Sequence, residues 1–273
     1  MKYADLHIHT NLSDSTYSPR QVVKLSLKNK LSAISITDHD TVDAIEPIQK
    51  IANPLGLEII PGIEMTCDID GIEIHILGYF IDYKDKNFLN KLKELRQIRV
   101  ERIHKMVEKL KGLGLTGMKA EEVVKSAGRG AVGRVHLAVA MQKKGYVGSI
   151  QEAFYKFIHD KGPAYVSKFR FKPQEVIDLI IKNNGIPVLA HPHTLGRKKF
   201  IEEFVGFGLK GIEVFYPEYT HTQTEYYKNF ADKFNLLLTG GSDCHGEIRE
   251  GNSIGKIKIP YELVEKLRQA YER

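Results

Sequence analysis

Short apolar runs that end in polar residues alternate with amphipathic stretches over both ends of the chain. Tyr3 to His9 reads as a strand. Ser18-Pro19 then offers an N-cap hydroxyl and a first-turn proline, which start the helix QVVKLSLKNK. LSAISIT, Leu31 to Thr37, is a second strand, and the pattern predicts a helix from Val42 to Ala52. LEIIPGIEM and GIEIHILGYF are two more strands, expected to pair through a turn at Asp70-Gly71.

From Tyr83 to Tyr165 the pattern is helical and charged. Leu92, Leu95, Ile98, Ile103, Val107 and Leu110 recur at helical spacing, and Gly112 and Gly114 end the run. Shorter helices are expected at Ala120–Ser126, Arg134–Lys143 and Ile150–His159. This block reads as a helical insertion, 83–165, that covers a site on a barrel made of 1–82 and 166–273. Alternation then resumes. Pro173 opens the helix QEVIDLIIKNN, and the strand IPVLAHP follows. Helix KKFIEEFVGF, strand GIEVFYP, helix TQTEYYKNFADKF and strand LLLTGGSD come next, then a last strand SIGKIKI and helix YELVEKLRQAYER. Repeated β-then-α units predict a parallel sheet, and a chain of 273 residues has the length to close it into a barrel.

Composition narrows this picture. A net charge of +6 suits an anionic substrate without requiring nucleic acid. Cys67 and Cys244 are the only cysteines and form no CxxC, which argues against a disulfide framework or thiolate zinc and for a reducing compartment. There is no apolar leader segment, and no run reaches the ~18 apolar residues that span a bilayer. The expectation is a cytoplasmic protein starting at Met1, with no membrane and no obligate protein partner.

The candidate chemistry lies at the strand ends. Six of the eleven histidines sit just past or within apolar runs near carboxylates: His7 and His9, His39, His75, His191 and His245. Asp14, Glu64 and Asp243 share their segments. Imidazole and carboxylate hold divalent transition metals, and so large a set points to several ions and to a metal-dependent hydrolase. His7 and His9, two apart on a strand, face the same side. In a β/α barrel the strand ends meet at one rim, so ligands far apart in sequence become neighbours. Taken alone, each residue has a plainer reading: solvated strand positions for HxH, a capping carboxylate for Glu64, a core histidine for His75. His191 precedes Pro192, which favours extended backbone. Gly240 and Gly241 before Asp243 would let the backbone approach the ions. GRGAVG (128–133) follows no strand and lacks a P-loop lysine, so it reads as an ordinary loop, and Cys244 as a filler thiol.

The ordered set His7-x-His9, Asp14, His39 in TDHD, Glu64 after PGI, His75, His191-Pro192 and Asp243-x-His245 resembles the PHP (polymerase and histidinol phosphatase) family over essentially the whole chain. The segments ITDHDT, GRVHLA, GPAYV, VLAHPH, GIEVFYPEYT and GSDCHG are most similar to the stand-alone phosphoesterases related to nucleoside 3′,5′-bisphosphate phosphatase. The resemblance implies a distorted (β/α)7 barrel holding two or three divalent ions, manganese, iron or zinc. It implies a first ion on His7, His9, Glu64 and Asp243, a second on Glu64, His75 and His191, and a third on Asp14, His39 and His245. Glu64, Asp243 and His193 would be catalytic. Arg134 and His136 in GRVHLA, with His193, would bind substrate phosphate, although Val135 stands where the family often has proline. Tyr165, Lys168, Arg170 and Lys172 are entrance candidates that read equally as a solvated face. The implied activity is hydrolysis of nucleotide phosphate monoesters, a nucleoside 3′,5′-bisphosphate or the 5′ end of short RNA, by a metal-activated hydroxide. Histidinol phosphate is the alternative substrate, and a non-catalytic metal or nucleotide sensor the alternative class.

Overall fold

Strand β1 (Tyr3–Ile8) is buried along almost its whole length, as a strand covered on both faces must be. It pairs in parallel with β2 (Ala33–Ile36), and β2 in parallel with β3 (Glu58–Ile69). The computed structural model describes residues 1–128, 130–159, 161–166, 171–195, 199–248 and 251–273. The expected hairpin is present: β3 turns through Asp70 (φ 53°) and Gly71 (φ 79°) into antiparallel β4 (Ile72–Tyr79). Positive φ at both loop residues matches the twist of a two-residue hairpin. β4 is also antiparallel to β5 (Ile186–Leu189), after which β6 (Gly211–Phe215) and β7 (Leu237–Gly240) run parallel. The sheet is therefore mixed, a nearly closed, distorted β/α barrel.

Beyond β7 the chain meets β1 again and closes the barrel. The Asp243 N–H donates to the His7 carbonyl (2.8 Å) and the His9 N–H to the Cys244 carbonyl (3.1 Å). Gly241 makes this approach feasible, because a Cβ there would lie 2.3 Å from the His7 nitrogen and 2.5 Å from the His7 Cβ. The glycine thus serves contact between strands.

Helices α1 (Pro19–Lys28) and α2 (Ile45–Ala52) connect the first strands. Ser18 caps α1 as its sequence foretells, whereas α2 starts three residues later than the pattern predicts. Helix α3 (Lys86–Gly112) straddles two cores. Phe88, Leu92 and Leu95 pack into the barrel cluster. Ile103, Met106, Val107 and Leu110 pack into a second cluster with α4 (Ala120–Ser126) and α5 (Arg134–Lys143). The helix expected over Ile150–His159 is in two parts, α6 (Ile150–Ala153) and a π turn at Phe154–Ile158. Among the described residues, the α-helices that follow are α7 (Pro173–Lys182), α8 (Lys199–Gly206), α9 (His221–Phe234) and α10 (Tyr261–Tyr271). The expected strand SIGKIKI shrinks to β8 (Ile259–Pro260), antiparallel to β1. Gly255 has φ 73° and spends its N–H on Asp5 Oδ2 (2.9 Å), so the segment turns instead of extending. Among the described residues no helix is long and apolar enough to cross a membrane.

Gly241→Ala tests the closure. Overpacking against backbone that cannot yield costs about 1–3 kcal/mol or more, so the melting temperature is expected to fall by several degrees. An unchanged melting temperature would show that the seam is not tight.

Candidate metal centre

Three features of the barrel gather the strand-end ligands. The first is the pleat of β1, which sets the rings of His7 and His9 on one face, 5.2 Å apart. The second is the long β3–β4 hairpin, which rises past the rim. Glu64 therefore lies in mid-strand and not at a strand end, and His75 stands on the neighbouring strand with its Nδ1 2.9 Å from Glu64 Oε1. The third is a set of sharp backbone turns. Asp40, His191 and Asp243 have φ of 50°, 26° and 48°, all left-handed. Such strain in non-glycine residues persists only where the surroundings enforce it. For His191 this overturns the extended backbone expected before Pro192: its N–H is held by Glu213 Oε2 at 2.8 Å, which sets the exit from β5.

Glu64 is the hub. Its Oε2 lies 3.5, 3.2 and 3.2 Å from His7 Nε2, His9 Nε2 and His39 Nδ1. Its Oε1 lies 2.9 and 3.1 Å from His75 Nδ1 and His191 Nε2. Asp243 Oδ1 is 3.4 and 3.2 Å from the Nε2 atoms of His7 and His9, and its Oδ2 accepts from the Tyr216 hydroxyl at 2.8 Å. Asp14 approaches His245 Nε2 at 3.3 Å and His9 and His39 at 3.7 Å. Its loop is held by buried Asp38, which accepts from the Thr10 N–H (2.6 Å), the Thr10 hydroxyl (2.6 Å) and the Ser13 hydroxyl (2.7 Å).

The donor set fits divalent cations. Three groups have one ligand atom per residue within 4.8 Å of one another: His7, His9, Glu64 and Asp243; His39, Glu64 and His75; and His9, Asp14, His39 and His245. His7 Nε2, both nitrogens of His9, His39 Nδ1 and His191 Nδ1 are buried without a hydrogen bond. Orphaned nitrogens are costly unless something binds them. Burial disfavours charge on His9, but the closeness of Asp243 and Glu64 outweighs it and pushes the imidazole up to about 10. His75 is likewise pushed up to about 9, burial being overcome by Glu64 and Glu73. His39 goes the other way, held well below the ordinary range by burial despite Glu64 and Asp14. Burial opposes the charge on Glu64 too, yet His39, His75 and His7 hold it well below the usual carboxylate range.

A cavity of about 680 Å³ opens over these ligands. Arg134 and His193 line it; His136 does not, and its Nδ1 accepts the Gly133 N–H (3.2 Å) at the start of α5. Arg134 lies over the Phe154 and Tyr165 rings (5.6 and 5.9 Å) and 3.4 Å from Glu73 Oε2. His193 Nδ1 is 3.3 Å from the Tyr219 hydroxyl. Lys168 and Arg170 lie outside the described residues, and Lys172 is exposed at the start of α7. Cys244 is buried, which pushes its thiol up to about 11, so it is a packing residue at neutral pH. In the GRGAVG segment Arg129 lies outside the described residues, and Gly130 packs closely on Leu12: a Cβ there would lie 2.0 Å from the Leu12 carbonyl oxygen.

Sequence reasoning passed over four residues here. Glu213, fully buried on β6, lies 2.9 Å from His7 Nδ1 through Oε1. Glu73 meets His75 Nε2 at 2.9 Å. Arg99 on α3 is buried against Asp40 Oδ2 (2.6 Å) and Thr66 Oγ1 (3.0 Å) and lines the cavity. Tyr216 closes on Asp243. A glutamate inside the apolar run GIEVF was a legible signal, as an ionised group there needs a partner.

Comparison with known proteins agrees with this geometry. The model of the PHP domain matches residues 5–190. The chain is similar to a 3′,5′-nucleoside bisphosphate phosphatase of Chromobacterium violaceum, 26% identical over 260 residues, covering 93% of this chain and 91% of that one. It is similar to a 5′-3′ exoribonuclease of Haemophilus influenzae, 28% identical over 249 residues, with 89% and 90% covered. A crystal structure from Bifidobacterium adolescentis, assigned to the metal-dependent phosphoesterases, superposes with a TM-score of 0.88 at 27% identity, covering 97% of this chain and 94% of that one.

The raised imidazoles set a pH dependence. A histidine held above its unfolded value of 6.5 stabilises the metal-free protein fully below that pH, and this stabilisation is lost as pH rises through about 9 for His75 and about 10 for His9. A cation must displace those protons, so Mn²⁺ affinity is expected to strengthen as pH rises from 6 to 9, with proton release. Calorimetric titration in buffers of different ionisation enthalpy reads the protons directly; pH-independent affinity without proton release would contradict the electrostatics.

Proposed function

This chain belongs to the PHP family, and from that premise we propose that it hydrolyses phosphate monoesters of nucleotides, a nucleoside 3′,5′-bisphosphate or the 5′ end of a short RNA. The observation that carries the reading is the shared cavity: a carboxylate whose two oxygens face separate sets of imidazoles lies under the same opening as the guanidinium of Arg134. His7, His9, Glu64 and Asp243 would hold one divalent ion. Glu64, His75 and His191 would hold a second, and Asp14, His39 and His245 a third, each manganese, iron or zinc. Such ions supply Lewis acidity toward phosphate oxygens and lower the pKa of water to make a nucleophile at neutral pH.

The chain's own residues do the rest. Glu64 brings the imidazole groups together, and the Tyr216 hydroxyl fixes Asp243. Arg134 presents a planar fork that suits phosphate, held in place by Phe154, Tyr165 and Glu73. His193, which meets the Tyr219 hydroxyl and lines the same cavity, would contact phosphate and protonate the leaving alkoxide. His136 holds the start of α5, from which Arg134 projects, by accepting the Gly133 N–H. Residues 83–165 act as an insertion on the barrel of 1–82 and 166–273, and bring Arg99, Arg134 and Phe154 to the cavity, where they select the substrate. The names of the two curated relatives support a nucleotide substrate. Two cysteines without a CxxC support a reducing, cytoplasmic setting.

A phosphate-release screen tests the reading, using nucleotides, bisphosphates, short 5′-phosphorylated RNA and histidinol phosphate. Chelated protein is expected to be inactive and Mn²⁺ to restore turnover, with a nucleotide substrate preferred. Full activity in protein shown to be metal-free by elemental analysis would sink the mechanism, and a preference for histidinol phosphate would replace the substrate.

Arg134→Ala is expected to leave metal content unchanged and to lower kcat/KM roughly ten- to a hundredfold, the loss of a charge-assisted contact worth about 1.5–3 kcal/mol. Lysine should rescue only in part, lacking the fork. Wild-type kinetics in the alanine variant would move the phosphate clamp elsewhere.

A further inference from the structure

Glu213 has no place among the ligands, yet it touches two of them. Its carboxylate is completely buried on β6. Oε1 lies 2.9 Å from His7 Nδ1, and Oε2 accepts the His191 backbone N–H at 2.8 Å. His7 thereby has its far nitrogen engaged, and its Nε2, which makes no hydrogen bond, faces Glu64 (3.5 Å) and Asp243 (3.4 Å). His191 is held at φ 26°, a conformation that L-residues rarely adopt, while its Nε2 reaches Glu64 Oε1 at 3.1 Å. One buried carboxylate thus sets the ring of one ligand and the backbone of another, and the two ligands meet different oxygens of Glu64. We infer that Glu213 is the positioning residue that ties the two ion sites into one unit, by fixing His7 for coordination through Nε2 and the turn that presents His191. The inference rests on the metal-centre reading above.

The chemistry of the carboxylate supports this role. It offers an acceptor oxygen to each of two donors, the His7 ring N–H and the His191 amide. Glutamine has the same shape but a single acceptor oxygen, so in Glu213→Gln one donor loses its partner. Partners of this kind, behind the ligand itself, typically account for 10–100-fold in metal affinity. A buried residue that only supports the fold would behave differently: its loss would lower the melting temperature of the metal-free protein without altering the affinity of the folded fraction.

The experiment compares wild-type protein and Glu213→Gln for Mn²⁺ affinity by competition with a chromophoric chelator, with the melting temperature of each metal-free form measured alongside. The expected result is a folded variant whose affinity is about 10–100-fold weaker, with both wild-type affinity and wild-type stoichiometry out of reach at low Mn²⁺. A folded variant with wild-type affinity and stoichiometry overturns the role of Glu213 while leaving the metal centre intact. Wild-type protein that binds no Mn²⁺ overturns the metal centre and this inference together. If Glu213→Gln does not fold, zinc-loaded wild-type protein labelled with ¹⁵N-histidine decides. A slowly exchanging proton on His7 Nδ1 with the ion on Nε2 supports the role, and an ion on His7 Nδ1 overturns it.

Discussion

A single buried carboxylate carries the site. Glu64 stands in mid-strand with almost no exposure, where an isolated charge would be prohibitively costly. It keeps that charge because five imidazoles, from β1, the turn after β2, β4 and the turn after β5, surround its two oxygens. Several of the histidine nitrogens are themselves buried with no hydrogen bond. The carboxylates and imidazoles leave lone pairs aimed at common points. Such a cluster is poor as a folding device and well suited to cations.

The departures from a regular β/α barrel all serve this cluster. The β3–β4 hairpin breaks the parallel rule and lifts Glu64 and His75 beyond the rim. The seam at Gly241 brings Asp243 and His245 onto β1, beside His7 and His9. The left-handed residues at the exits of β5 and β7 turn side chains inward that an extended backbone would carry past the opening. Around them lies a ring of fixed supports: Asp38 under the Asp14 loop, Tyr216 on Asp243, Glu73 on His75 and Glu213 on His7 and His191.

The helical block adds a second layer. Helix α3 packs its first turns on the barrel core and its later turns on α4 and α5, so it joins the two clusters. Between those halves Arg99 reaches down to Asp40, a buried pair with the guanidinium also bonded to Thr66. That contact fixes the TDHD segment carrying His39 relative to the helices that present Arg134. The spacing between imidazole cluster and guanidinium is thus set by packed helix and buried ion pair.

Periodicity and turn chemistry in the sequence were enough to determine the alternation of strands and helices, the two-residue hairpin at Asp70-Gly71, the capped start of α1 and most helix limits. These are local properties, decided by side-chain spacing and backbone preference. Most of the nine candidate ligands were conspicuous as histidine and aspartate near the ends of apolar runs, whereas Glu64 and His75, inside strands, stood out only as members of the ordered motif set. What joins them was decided only by the tertiary structure. Glu213 inside an apolar run signals the need for a partner, but which group it meets depends on the pairing of β6 with a segment 206 residues away. His191 before Pro192 favours extended backbone locally, and the hydrogen bond its N–H donates to Glu213 overrides that preference. SIGKIKI reads as a strand, but Asp5 claims the Gly255 N–H and turns it. Local sequence sets what each segment prefers, while the cost of leaving buried charges and N–H groups unpaired determines which preferences survive folding.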